Sequence, residues 1–204
     1  MRPSAASLLK GVTPMNTILQ IPEKLEIGDI VFIRIDNALY RHVAKATASW
    51  TSHVGIIVEA EPGQEIVAES TFPVSKYTPL KEFLERSECG KFAIKRVRTG
   101  LSESMRQRVY EEAAKRLGIL YHTGFNLDSK RQYCSKFVYE VLREAANVEI
   151  GKLETFRELL ACNKKTPKWF WHFWYFGFIP WNRRTITPGS QYLSPLLETV
   201  HESI

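Results

Sequence analysis

The stretch that most limits the fold of this chain is RQYCSKFVYEVLREA, Arg131 to Ala145. Its apolar residues fall at Cys134, Phe137, Val138, Val141, Leu142 and Ala145. That is the i, i+3, i+4, i+7, i+8, i+11 spacing of one helix face. A stripe this broad has to be buried against a second layer. It also begins with a cysteine, which is either the first small hydrophobe of a core or a thiol held at a helix start.

The second layer is readable as short strands. Gly28-Asp29 opens a β-branched run, Ile30 to Ile33, and His53 to Val58 reads as another strand. Pro62-Gly63 is a turn, and Glu65 to Glu69 returns, so these two segments make an antiparallel hairpin. Phe92 to Val97 alternates like a further strand. Helices are expected at Asn37 to Ala48, Leu80 to Arg86, Ser102 to Leu117 with Gly118 as its stop, and Leu153 to Cys162. Thr187-Pro188-Gly189-Ser190 has turn chemistry. Strands and helices do not alternate regularly, which favours α+β over a doubly wound sheet. At 204 residues the chain suits one domain, expected at 23–204 behind a loose arm at 1–22, with Met15 as a second candidate start.

One segment resists every period: WFWHFWYFGFIPW, Trp169 to Trp181. An almost unbroken aromatic run serves either as a cover that completes the core or as an apolar pocket and membrane-interface face. The flanking Lys164, Lys165, Lys168, Arg183 and Arg184 suit the second use. The net charge of +6 raises the prior for an anionic partner, but no nucleic-acid motif accompanies it, so none is expected. Three cysteines, Cys89, Cys134 and Cys162, make no disulfide framework. No signal peptide and no run of about 18 apolar residues is evident, so the expected compartment is the cytoplasm. Cysteine and histidine never fall at metal-ligand spacing and there is no phosphate loop, so neither a metal nor a cofactor is expected.

Chemistry centres on Cys134. A thiol attacks as its thiolate, and unpaired N–H groups at a helix start favour that anion and an oxyanion beside it. It needs a base, normally histidine. Of the five histidines, His42, His172 and His201 suit surface or packing roles, and His122 lies on a link that could fold back. His53 starts a strand, at an edge where a site would be. Glu69 ends the strand returning from His53 and is the candidate to orient its imidazole, while Glu59 and Glu65 suit a solvated edge.

These pieces, in their order, carry a resemblance. Gly28-Asp29-Ile30-Val31, Ser52-His53-Val54-Gly55-Ile56, Val67-Ala68-Glu69-Ser70, Tyr121 with Phe125, and Tyr133-Cys134-Ser135-Lys136-Phe137-Val138 together resemble the circularly permuted branch of the NlpC/P60 papain-like family, more closely its YebB- and YiiX-like members. Thr187 to Tyr192 followed by Ser194-Pro195 is similar too, so the likeness runs over about residues 25–200. It implies a papain-like α+β fold, an antiparallel sheet or partial barrel packed against the helix that carries the cysteine. Carried over residue by residue, it makes Cys134 the nucleophile, His53 the base and Glu69 the orienting group. Relatives often have Tyr-Asp where this chain has Tyr121-His122, which leaves His122 as an extra titratable group. Tyr133, Ser52 and His122 are the remaining oxyanion or cleft candidates.

The expected reaction is hydrolysis or acyl transfer at an amide or ester through a thioester, on a small-molecule, peptide or lipid acyl substrate. Weak contact with a membrane surface is an associated expectation. The alternatives are a lipid-directed acyl hydrolase at membranes and a binding module that keeps the papain-like shell without the reaction.

Overall fold

The computed structural model describes residues 22, 24–37, 49–162 and 168–204. The arm expected at 1–22 lies outside the described residues save Pro22, as does the helix expected at 37–48 save Asn37.

Alternation builds the centre. In strand β1 (Ile30–Ile35), Ile30 and Phe32 face one side of the sheet while Val31 and Ile33 face the other. Strand β2 (His53–Glu59) pairs antiparallel with β1, aligning Ile33 with His53, and β3 (Ile66–Ser70) returns antiparallel beside β2. The hairpin read from Pro62-Gly63 is therefore present, with Gly63 at φ +82°. Beyond β3 lies β4 (Ser75–Pro79), followed by the short helix α1 (Leu80–Glu85). On the far side of β1 come β5 (Ser87–Val97) and the last strand, β8 (Leu197–Ser203). The six-stranded sheet has the order β4-β3-β2-β1-β5-β8, every neighbour antiparallel.

Two helices cover one face. Helix α2 (Glu103–Ala114) starts where Ser102 Oγ accepts from the Met105 N–H at 3.3 Å. It ends earlier than expected, at Ala114, and the chain turns through Leu117 to Gly118 at φ +73°. Helix α3 (Cys134–Ala146) lays Phe137, Val138, Val141, Leu142 and Ala145 on Ile30, Phe32, Val54 and Ile56. At roughly 1.5–3 kcal/mol for each large side chain, burying the four bulky ones contributes on the order of 6–12 kcal/mol, an upper bound against an extended chain. Asn147 in the left-handed region (φ 54°) stops the helix, its N–H reaching the Arg143 carbonyl.

The opposite face is closed by α1, whose Leu80, Phe83 and Leu84 join Val31, Ile57, Val67 and Ile94. Gly55 matters here. A Cβ on it would come within 2.4 Å of Val67 Cγ1 and 3.0 Å of Phe83 Cε2. Only glycine lets Phe83 reach the sheet beside His53.

After α3 the chain makes β6 (Glu154–Thr155), α4 (Phe156–Cys162), α5 (Lys168–Trp174), β7 (Arg184–Thr185) and α6 (Pro188–Tyr192). β6 pairs antiparallel with β7 in a small second sheet. The helix expected from Leu153 begins only at Phe156, because Glu154 and Thr155 are used in that pairing. The turn expected at Thr187 to Ser190 is instead a helix start. Thr187 Oγ1 accepts from the Ser190 N–H, Ser190 Oγ bonds back, and Pro188 occupies the first turn.

Candidate active site

Three elements bring Cys134, His53 and Glu69 together. His53 is the first residue of β2, Glu69 lies near the end of β3, and Cys134 is the first residue of α3. His53 Nε2 and Glu69 Oε2 are 2.6 Å apart, with both side chains fully buried. The Cys134 thiol acts on the same imidazole and helps raise its pKa. The imidazole therefore interacts with both the sulfur and the carboxylate, linking the three residues into a row.

The back of the row is clamped. Glu69 Oε1 accepts from Thr78 Oγ1 at 2.6 Å and from Arg86 Nη2 at 2.7 Å. The Arg86 guanidinium also lies over the Phe83 ring, 4.8 Å from its centroid. Phe83 in turn stacks on the His53 imidazole, with centroids 5.5 Å apart and 29° between planes. Neither Thr78 nor Arg86 was among the residues picked from sequence. Arg86 follows the last turn of a short helix and Thr78 sits in a polar strand, and nothing local marks either as a partner of a carboxylate.

Electrostatics follow from this packing. Burial pulls the His53 pKa down, but its interaction with Cys134, the hydrogen bond it donates to Glu69 and the charges of both outweigh this and raise the value to about 9. Burial pushes the Glu69 carboxyl up, but the bond and charge of His53, the Arg86 charge and the Thr78 hydroxyl bring it to about 2. At neutral pH, Glu69 is a carboxylate and His53 an imidazolium.

The start of α3 is held from the other side. Tyr133, its N-cap, makes no side-chain capping bond. Its hydroxyl instead accepts from the Ile186 N–H at 3.1 Å and meets Thr185 Oγ1 at 3.2 Å. Ser135 Oγ donates to the Ile186 carbonyl, and Gln191 Nε2 donates to the Ser135 carbonyl, both at 2.8 Å. The first-turn N–H groups of Cys134 and Ser135 thus have no side-chain cap, which is the condition for receiving an anion there.

Cys134 is only 3% exposed and opens on a narrow pocket of about 30 Å³. The lining is almost wholly apolar and includes Tyr121, Phe125, Phe156, Leu159, Trp171, Ile186 and Pro188, with Ser52 at the His53 end. The Ser52 hydroxyl accepts from the Ile35 N–H at 3.0 Å. His122 is not part of this lining. Its Nδ1 accepts from the Gly124 N–H at 2.9 Å, and burial together with the Arg183 charge lowers its pKa. His172 is exposed on α5, His201 stacks on Phe92 in β8, and His42 lies outside the described residues. Glu59 is exposed and Glu65 accepts from the Gly63 N–H, both away from the row. Cys89 is exposed, and it and Cys134 are free thiols.

The aromatic run provides the pocket wall. Phe170, Trp171 and Ile179 pack with Phe156 and Leu160 into a cluster of their own, with Trp174, Tyr175 and Trp181 against it. The lack of a period has a physical cause: a short helix, α5, gives way to an irregular loop at Tyr175, with Phe176 and Gly177 both at positive φ.

Comparison with known proteins agrees with this geometry. Residues 24–201 match the family of permuted papain-like amidase enzymes, YaeF/YiiX, C92. The chain belongs to this family, which bears out the expected permuted papain-like α+β fold. It is 33% identical over 133 residues to an uncharacterised protein, YiiX, of Escherichia coli strain K12, and the match spans 65% of this chain and 65% of that relative's length. Its structure is similar to the crystal structure of the metalloprotein yiiX from Escherichia coli O157:H7. The TM-score is 0.77 at 28% identity, covering 87% of this chain and 97% of that one.

Proposed function

We propose that this permuted papain-like amidase uses Cys134 as nucleophile, His53 as proton carrier and Glu69 as the group that orients it. The observation that carries the reading is the buried row Cys134–His53–Glu69, with His53 raised to about 9 and Glu69 lowered to about 2. An imidazolium between a sulfur and a carboxylate is the resting charge pattern of a thiolate nucleophile. The sulfur attacks the acyl carbon and an S–C bond forms. The carbonyl oxygen takes the electron pair beside the uncapped N–H groups at the start of α3. On collapse the C–N or C–O bond breaks, and the His53 proton goes to the leaving nitrogen or oxygen. Water then attacks the thioester, His53 takes its proton, the acid leaves and the thiolate returns. The same logic supports kinship with the wider NlpC/P60 enzymes.

The acyl group is the finer question. The almost wholly apolar pocket favours a second reading, in which an ester or amide of a lipid acyl chain is the substrate. A metal is not used in either reading. The yiiX relative is described as a metalloprotein, but among the described residues here no three His, Cys, Asp or Glu side chains gather to hold an ion. Without such a cluster, these residues do not fit a metal.

Iodoacetamide labelling tests the nucleophile. Cys134 is expected to react faster than the far more exposed Cys89, and His53→Ala is expected to slow it at least tenfold. Labelling of Cys89 ahead of Cys134, or an unchanged rate in His53→Ala, would end the reading.

A further inference from the structure

The aromatic segment has two sides, and the site uses only one. Trp171 faces inward and lines the Cys134 pocket. On the outside, Trp169 is 68% exposed, Phe173 79%, Phe176 92% and Phe178 86%. Four large rings in ten consecutive residues are thus mostly exposed. Single exposed hydrophobes are ordinary, but a cluster of this kind marks an interaction surface.

Two further observations say what the surface meets. Phe176 has φ +51°, in the left-handed region where a bulky residue is disfavoured, while its ring has almost no packing to offset the strain. A glycine there would relieve that strain, and so exposed a ring adds little packing to the fold. Beside α5 lies a shallow concavity of about 240 Å³ lined by Arg157, Leu160, Ala161, Lys168 and Trp181. Its lining carries two cations and no acid. Arg157 lies over Trp181, 5.8 Å from the ring centroid, and neither it nor Lys168 forms an ion pair among the described residues.

We propose that the face made by Trp169, Phe173, Phe176 and Phe178, with the Arg157–Lys168 concavity beside it, docks onto an anionic lipid surface. The rings insert at the headgroup–acyl boundary, where aromatic side chains are favoured. The two cations take lipid phosphate or carboxylate oxygens, an attraction that fades with salt. Charge complementarity selects this occupant over a second copy of the chain, whose own face would bring the same cations together. Because Trp171 belongs to the same helix, docking sets the Cys134 pocket against the membrane boundary. The inference stands on surface residues alone and does not depend on the proposed reaction.

Flotation with vesicles tests it. The full chain is expected to bind phosphatidylcholine vesicles containing phosphatidylserine at low salt, with a blue shift in tryptophan emission, and to release as salt rises. Phe173→Ser with Phe178→Ser is expected to weaken binding by about tenfold or more, since each ring loses burial in the interface. Arg157→Gln with Lys168→Gln, which keeps every ring and removes only the cation over Trp181 and its neighbour, is expected to weaken binding to charged vesicles and to flatten its salt dependence. Cys134→Ser is expected to bind as the unsubstituted protein does, which separates docking from catalysis. No binding at low salt, equal binding to neutral vesicles, or unchanged binding in both double variants would overturn the proposal. So would loss of self-association in the phenylalanine variant in place of loss of vesicle binding.

Discussion

The two sides of the Cys134–His53–Glu69 row are both built from aromatic and basic residues, yet they are opposite in kind. Behind the row, Phe83 is fully buried, stacks on His53 and lies under Arg86, which bonds Glu69. Every polar atom of the Glu69 carboxylate has a partner there. In front of the row, the segment from Lys168 to Phe178 buries one face on the pocket and leaves four rings in water. The same side-chain chemistry therefore serves stability on one side and contact on the other. What differs is how far each group is buried. Substitutions behind the row should cost folding free energy, and those in front should not.

Glu69→Ala tests this contrast most strongly. It removes the acceptor of His53, Thr78 and Arg86 at once and leaves a buried imidazole without its counter-charge. Breaking a buried pair by deleting one partner costs about 3–5 kcal/mol. Urea unfolding is expected to give a loss in that range. A loss below about 1 kcal/mol would mean that the clamp is not what fixes the back of the row.

The pH dependence of stability comes next in size. His53 titrates near 9 in the folded chain against an ordinary 6.5. Its contribution is fully present below about 6.5 and is lost as pH rises through about 9. Glu69 titrates near 2 against an ordinary 4.5, so its contribution is present above about 4.5 and is lost as pH falls through about 2. The row is expected to be most stabilising between about 4.5 and 6.5, and urea midpoints measured from acid to alkaline pH check this. Glu69→Gln is expected to remove the acid-side decline that belongs to this carboxyl and to shrink the alkaline one. A profile unchanged in that variant would place the titration elsewhere. Substitutions at Phe173 or Phe178 are expected to leave the profile alone, since neither ring touches the row.

How much of this was legible in the sequence divides along the same line. Cys134, His53 and Glu69 could be picked because each is a reactive type at an element end, and because Pro62-Gly63 folds the strand of Glu69 back beside that of His53. The stripe from Phe137 to Ala145 declared its own burial. The strand Ser75–Pro79 was not read, because it is polar and closes on a proline, and it is ordered by the register that pairs Val67 with Thr78. Leu197–Ser203 was missed for a similar reason: its burial pattern is mostly exposed, so its strand form depends on pairing with β5. The clamp by Thr78 and Arg86 was invisible because it is a contact between elements, not a pattern within one. The aromatic run gave no period because its rings are shared between a pocket wall and an outer face, divided by the positive-φ residues Phe176 and Gly177.

Phe176→Gly gives the smallest expected effect and isolates the front of the row. The ring is 92% exposed and the backbone sits at φ +51°, so glycine relieves strain there while adding freedom to the unfolded chain. These terms oppose each other at about 0.5–1 kcal/mol each. Thermal unfolding is therefore expected to show stability within about 1 kcal/mol of the parent, on either side. A larger loss would mean that the ring is packed in solution and belongs with Phe83, as part of the fold. A neutral result would leave a bulky aromatic kept in a conformation that costs the fold something and brings it nothing. Proteins keep such residues where function and stability pull apart, and here that place is the outer face of the segment that walls the thiol.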